Sequence, residues 1–158
     1  MTAAILYGGL VSLFMAVTLS VPLYAFGQAA GATVQAEGAW ARRAAAMVMK
    51  GASGGGSGNG AVYALLVNRG NVPDALVGAE SDAAVTVEIH ETYRDMNMMM
   101  MRAVRKIDVP VGSKIELKPG GYHVMLLNLK RDLKVGESIS VTLHFEKAGR
   151  IPVAVAIK

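Results

Sequence analysis

The sequence predicts an all-β domain, an antiparallel sandwich or barrel, preceded by an apolar N-terminal segment. Three observations predict it. From Ala61 onward, short apolar runs of strand length follow one another closely, separated by Gly, Pro, Asn and Asp. No stretch sustains the 3.6-residue period of an amphipathic helix. All 16 basic and 12 acidic residues lie beyond Ala32, which sets residues 1–32 apart from the rest.

The apolar run near Ile5–Phe26, followed by small residues at Ala30-Gly31-Ala32, fits a secretory signal with its cleavage site. No Lys or Arg precedes that run, and its length is close to the roughly 20 apolar residues that span a bilayer. An uncleaved membrane anchor therefore fits as well. Either reading places the folded part outside the cytoplasm. The expected organisation is a signal peptide or anchor over 1–32, an N-terminal strand and flexible Gly-rich loop over 33–60, and the remainder of one β-sandwich domain over 61–158.

Glu37–Trp40 opens the exported part, and ARRAAAMVMK suits a brief helical or extended segment. Gly51–Gly60, GASGGGSGNG, is a low-complexity flexible loop. It contains a formal G-x-S-x-G match, but a nucleophile elbow needs a strand before its serine and a helix after it, and here both flanks are Gly and Ser. The strand-like runs begin with AVYALLVN, which ends at Arg69-Gly70-Asn71, and DALVGAE follows Pro73. VTVEIHE and MMMMRAV flank a polar turn, Pro110–Ser113 make the next break, and KIEL leads into Lys118-Pro119-Gly120-Gly121. That tetrad suits a type II turn, in which Pro fixes one φ and Gly supplies the positive one. YHVMLLNL, SISVTLHFE and IPVAVAIK complete the series.

A formal charge of +4 is spread from Arg42 to Lys158 without a dense run. Nucleic-acid binding wants a basic stripe with interleaved aromatics, so that class is not expected, and a solvated, mildly basic surface is. The chain has no cysteine. An exported domain without disulfides is held by its core, and no thiolate is on hand for chemistry.

The chemistry concentrates in VEIHETYRDMNMMMMRAV, where five methionines fill the six positions from Met96 to Met101. Strand side chains alternate faces. Met99 and Met101 then point one way, Met98 and Met100 the other. Val85, Val87 and Ile89 mark the core face of their strand and set His90 on the opposite face, while His123 and Met125 share a face at i and i+2. Two accounts fit such a set. Met is a flexible filler of β cores, and thioether together with imidazole is a donor set that selects Cu(I). Zinc prefers Cys, His and carboxylate; covalent haem attachment needs C-x-x-C-H; a blue-copper site needs a Cys thiolate. A His/Met set is unusual for zinc, and the sequence has neither a C-x-x-C-H motif nor a cysteine.

The spacing of these residues resembles the periplasmic copper A chaperone (PCuAC) family, whose signature is a His, ten residues, a Met, twenty-one residues, then His-x-Met. His90, Met101 and His123-Val124-Met125 reproduce each separation. AWAR at Ala39–Arg42, IDVP at Ile107–Pro110, ELKPGGYHVML at Glu116–Leu126 and FEKAG at Phe145–Gly149 are similar to the family too, over about residues 37 to 157. The resemblance implies a cupredoxin-like Greek-key β-sandwich carrying one Cu(I) on His90, Met101, His123 and Met125. Apart from the resemblance, Met99 lies two residues from Met101 on the same strand face and is a candidate accessory ligand that could shield or substitute for it. The resemblance also implies delivery to a respiratory oxidase, with a copper-accepting oxidase subunit or a thioredoxin-like assembly protein as partner. Contact with the membrane is expected only through an uncleaved N-terminal segment. The long Ala/Met/Gly stretch Arg43–Gly60 departs from the family's compact, proline-containing loop, and Met47 and Met49 within it are further soft donors.

Three function classes follow. A copper carrier binds one Cu(I) per chain. A periplasmic copper storage or resistance protein binds several, with Met47, Met49, Met96 and Met98 contributing. A structural or adhesive sandwich binds none. An enzyme is not expected: no nucleophile–base–acid set stands out, and four protein ligands leave a metal no open position. Met98 and Met100 are expected in the core, Met96 in the turn, His144 exposed, and Trp40 and Tyr122 in core or near-site packing.

Overall fold

Alternation written into the sequence becomes strand pairing in the structure, a computed structural model that describes residues 33–46 and 58–158. The expected signal or anchor over 1–32, together with Met47, Met49 and most of the Gly-rich stretch, lies outside the described residues. Among the described residues there are ten strands and no helix: β1 (Val34–Ala41), β2 (Gly60–Asn68), β3 (Asp74–Ser81), β4 (Ala84–Asp95), β5 (Met98–Ala103), β6 (Ile107–Val109), β7 (Lys114–Leu117), β8 (Tyr122–Leu129), β9 (Ser138–Phe145) and β10 (Gly149–Ile157).

Pairing runs in the order β5-β4-β8-β2-β1-β10-β9-β3-β6, with β7 also on β2. β1 joins the two layers of a cupredoxin-like Greek-key β-sandwich: it pairs antiparallel with β2 and, through Trp40 and Ala41, parallel with β10. A register shift between Glu37 and Trp40 bends it where it changes partner. Gly38 sits in that bulge at φ +59, a conformation that side chains with a Cβ rarely adopt.

The core lies between the layers. Leu66, Val124, Leu126 and Ile89 come from one side, and Leu76, Val141, Leu143, Phe145 and Val155 from the other, all buried. Each such side chain contributes about 1.5–3 kcal/mol by leaving water. Two buried polar side chains pin the loops. The Asn68 amide donates to the Val72 and Val109 carbonyls and accepts from the Gly70 N–H. The Asp74 carboxylate accepts from the N–H groups of Ala75, Lys147 and Ala148.

Several expectations are corrected. β4 extends to Asp95, so the turn before β5 is only Met96 and Asn97, both at positive φ as a type I′ hairpin requires. β6 is a short additional strand on β3. Of the segment expected to be helical or extended, residues 42–46 form no helix, which leaves the extended alternative, and Ala44 bridges to Leu133. Met98 and Met100 are not in the core: they are 63% and 41% exposed, and every residue of β5 is exposed. Among the described residues β5 pairs only with β4, at the end of the sheet, and both of its faces are exposed.

Candidate metal centre

The site is built by the register of three strands. On the β4–β8 ladder His90 stands opposite His123, and Glu88 opposite Met125. On the β4–β5 ladder Thr92 stands opposite Met101 and Arg94 opposite Met99. Directly opposed residues project from the same face of a sheet. His90, Met101, His123 and Met125 therefore share the outer face of their layer, in three successive rows. From the hairpin tip inward these are Met101, then the two imidazoles, then Met125.

The rings of His90 and His123 lie 5.8 Å apart between centroids. Met101, His123 and Met125 line an open cleft of about 320 Å³, together with Tyr63 and Thr92. His90 does not line that cleft and borders it through the His123 ring. Arg42 and Arg43 rim the opposite side, where the chain crosses after β1. His123 is 3% exposed and Met101 58%, so the four residues run from a covered imidazole to an open thioether.

Hydrogen bonding leaves one nitrogen of each imidazole as a lone pair. His90 Nε2 lies 2.8 Å from Glu88 Oε2, so the carboxylate accepts its proton and Nδ1 is the unprotonated nitrogen. That Nδ1 is buried and has no hydrogen-bond partner. His123 Nδ1 donates to the Gly121 carbonyl at 3.0 Å, which leaves Nε2 as the acceptor. The same carbonyl accepts the Thr92 N–H at 3.0 Å, so one oxygen ties β4 to the turn and orients the ring. Metal-binding histidines are held in this way, one nitrogen on a carboxylate or carbonyl and the other toward the metal. Gly121 follows the expected type II turn: Gly120 is at φ +79, and the Gly121 N–H donates to the Lys118 carbonyl.

Behind His123 the aromatic packing continues. The Tyr63 ring is 6.4 Å from it, and Trp40 is 4.7 Å from Tyr63, which gives Trp40 its near-site role. On the back of the hairpin Arg102 bridges to Glu91 at 2.7 Å and lies over the Tyr93 ring at 4.9 Å. The Glu91 hydrogen bond, and then its charge, raise the Arg102 guanidinium further above its already basic range. Tyr122 stands opposite Glu91 on that same back face and packs against the core.

Among the described residues no group of three or more His, Cys, Asp and Glu side chains is placed to hold a metal ion. Two imidazole nitrogens with two thioethers are a donor set that suits Cu(I). His144 is not brought to this face. It lies half-buried in the other layer, with Nε2 3.6 Å from the Glu80 carboxylate that also pairs with Arg150, so its expected exposure is corrected. Glu88 and the Gly121 carbonyl were not singled out from the sequence. Each precedes a site histidine by two residues, and strand parity applied to Glu88 would have found it.

Residues 34–157 match the family model described as "Putative lipoprotein LpqE-like". Over 82% of its length and 95% of the other's, the chain superposes on the copper-bound PCuAC domain from PmoF2, with 26% identity and a TM-score of 0.60. The chain belongs to the LpqE-like family, which is the PCuAC family. This PCuAC chain is also similar to CuI-DR1885 from Deinococcus radiodurans, at 29% identity and a TM-score of 0.53, with 78% of each chain covered. A curated relative, "Putative lipoprotein Lxx21020" of Leifsonia xyli subsp. xyli, is 39% identical over 104 residues, 65% of this PCuAC chain and 63% of the relative. The chain spans less than two thirds of the length of the curated relatives it matches.

Proposed function

We propose that the chain is a copper chaperone that binds one Cu(I) through His90, Met101, His123 and Met125. The observation that carries this reading is the opposed pair His90 and His123. Each has one ring nitrogen held by an acceptor and the other left as a lone pair, and thioethers flank the pair on the same face. Its structural relatives, a copper-bound PCuAC domain and a Cu(I)-loaded protein, support it. The work is binding and delivery rather than catalysis. The lipoprotein descriptions of its relatives, and the apolar N-terminal segment, support a location outside the cytoplasm, in the periplasm. The acceptor is a copper-binding oxidase subunit or a thioredoxin-like assembly protein.

Neutral thioethers hold Cu(I) without adding charge, and the exposed Met101 marks the side from which a partner's ligand approaches. A storage role is favoured by one observation, the four further exposed methionines Met96, Met98, Met99 and Met100 on the same hairpin. Anaerobic Cu(I) loading followed by native mass spectrometry separates the two. One copper per chain, lost in Met101→Leu, supports the chaperone; several coppers that persist in Met101→Leu support storage; none in the wild type rejects both.

A further inference from the structure

The four-residue set leaves a second feature of the hairpin unused. Met99, opposite Arg94, lies on the same face as Met101 and one row nearer the tip. Same-face positions on a strand are about 6.8 Å apart. Met side chains are long and rotate about three bonds, so the sulfurs of Met99 and Met101 can approach a common ion. Met99 is more than half exposed, and among the described residues no second layer covers it. Packing therefore gives no reason for an apolar side chain there.

Charge is graded along the same face. Arg94 stands opposite Met99 in the outer row, and Glu88 stands opposite Met125 in the innermost row. A monovalent cation is repelled beside the guanidinium and attracted toward the carboxylate. With Met99 opposite Arg94, the Met99 end of the pair makes a poor resting place for Cu(I) and a suitable stepping place.

We propose that Met99 and Met101 form a transient two-thioether Cu(I) position at the hairpin tip, through which the ion reaches and leaves the His/Met set. This rests on the Cu(I) reading above and adds a route to it. The ion stays Cu(I) throughout: Met101 holds it in both positions, while the imidazoles and Met125 exchange for Met99 and one ligand of the donor or acceptor. Met99 thus contributes to rate and not to resting affinity. Since affinity is the ratio of the two rates, a Met99 variant must slow uptake and release by the same factor.

The test is anaerobic stopped-flow on the full chain, with Cu(I) supplied from and removed to a chromophoric Cu(I) chelator. Wild type is compared with Met99→Leu and with Met98→Leu, a like change on the opposite face. The expected result is that Met99→Leu slows both directions together by about tenfold, with unchanged equilibrium affinity, and that Met98→Leu changes neither. Three results overturn the proposal: unchanged rates in Met99→Leu, a loss of affinity in Met99→Leu, or equal slowing in Met98→Leu. Absence of Cu(I) binding in the wild type overturns the chaperone reading along with it, so the two failures are distinguishable.

Discussion

His90 and His123 stand directly opposite one another on adjacent strands, and each keeps one ring nitrogen against a fixed acceptor. The pair is thereby oriented before any metal arrives. In the proposed Cu(I) site, little side-chain ordering would then be left for binding to impose, and affinity would depend on residues that do not touch the ion.

Glu88 is the first of these. Glu88→Ala removes the acceptor that holds the His90 tautomer, and the expected effect is a 10- to 100-fold loss of Cu(I) affinity, roughly the range for such supporting groups. Glu88→Gln, whose amide oxygen still accepts, should fall between. Competitive titration against a Cu(I) chelator measures both, and equal affinity in all three proteins removes Glu88 from the site.

Acid should release the metal. Cu(I) binds the unprotonated imidazole, so protons compete for His90 and His123 and not for the thioethers. Affinity should therefore fall on acidification, because each imidazole nitrogen that binds the ion also binds a proton. A Cu(I) affinity that does not change on acidification is incompatible with imidazole ligands.

Core and hairpin should respond differently to truncation. Leu126 is fully buried between the layers, so Leu126→Ala is expected to cost about 2–5 kcal/mol. Met98→Ala and Met100→Ala remove side chains that nothing covers and should stay within about 0.5 kcal/mol of wild type. Urea unfolding of the three variants decides whether the Met98/Met100 face of β5 is as unsupported as its exposure implies.

The turn before β8 offers a test of orientation without touching a ligand. Gly120 is at φ +79 with open space around the position of a Cβ, so Gly120→Ala meets no clash and carries only backbone strain. That strain is about 1–2 kcal/mol. Relief of it by a shifted turn would move the Gly121 carbonyl off His123, so reduced Cu(I) affinity should accompany a modest drop in melting temperature. Calorimetry with and without Cu(I) separates the two effects.

Much of this was legible in the sequence, for physical reasons. Period-two alternation correctly set Met99 and Met101 apart from Met98 and Met100, and placed His90 off the core face. What alternation reports is the side of a strand, not what lies beyond it. It could not show that β5 is the outermost strand, so the face of Met98 and Met100 was assigned to a core that does not extend that far. Register is equally silent in a single strand. Nothing within VEIHE or YHVM states that His90 meets His123 rather than its neighbours, and the β4–β8 ladder supplies that. The type II turn was legible because Pro-Gly-Gly admits few conformations, whereas Met-Asn at the β4–β5 tip carries a weaker turn signal and the turn was drawn too long.

The openness of the β4–β5 hairpin also exposes it to oxygen chemistry. A thioether in contact with water takes up one oxygen atom to become a sulfoxide, which is polar, chiral and a poorer partner for a soft metal. Met96, Met98, Met99 and Met101 are all more than half exposed, while the leucines and valines of the core have no such chemistry. Peroxide should thus add mass to this protein in 16 Da steps, about one for each accessible sulfur, and silence the copper face while the sandwich stays folded. Reduction by a sulfoxide reductase would restore it, so damage here is confined to a part that can be renewed without refolding the rest.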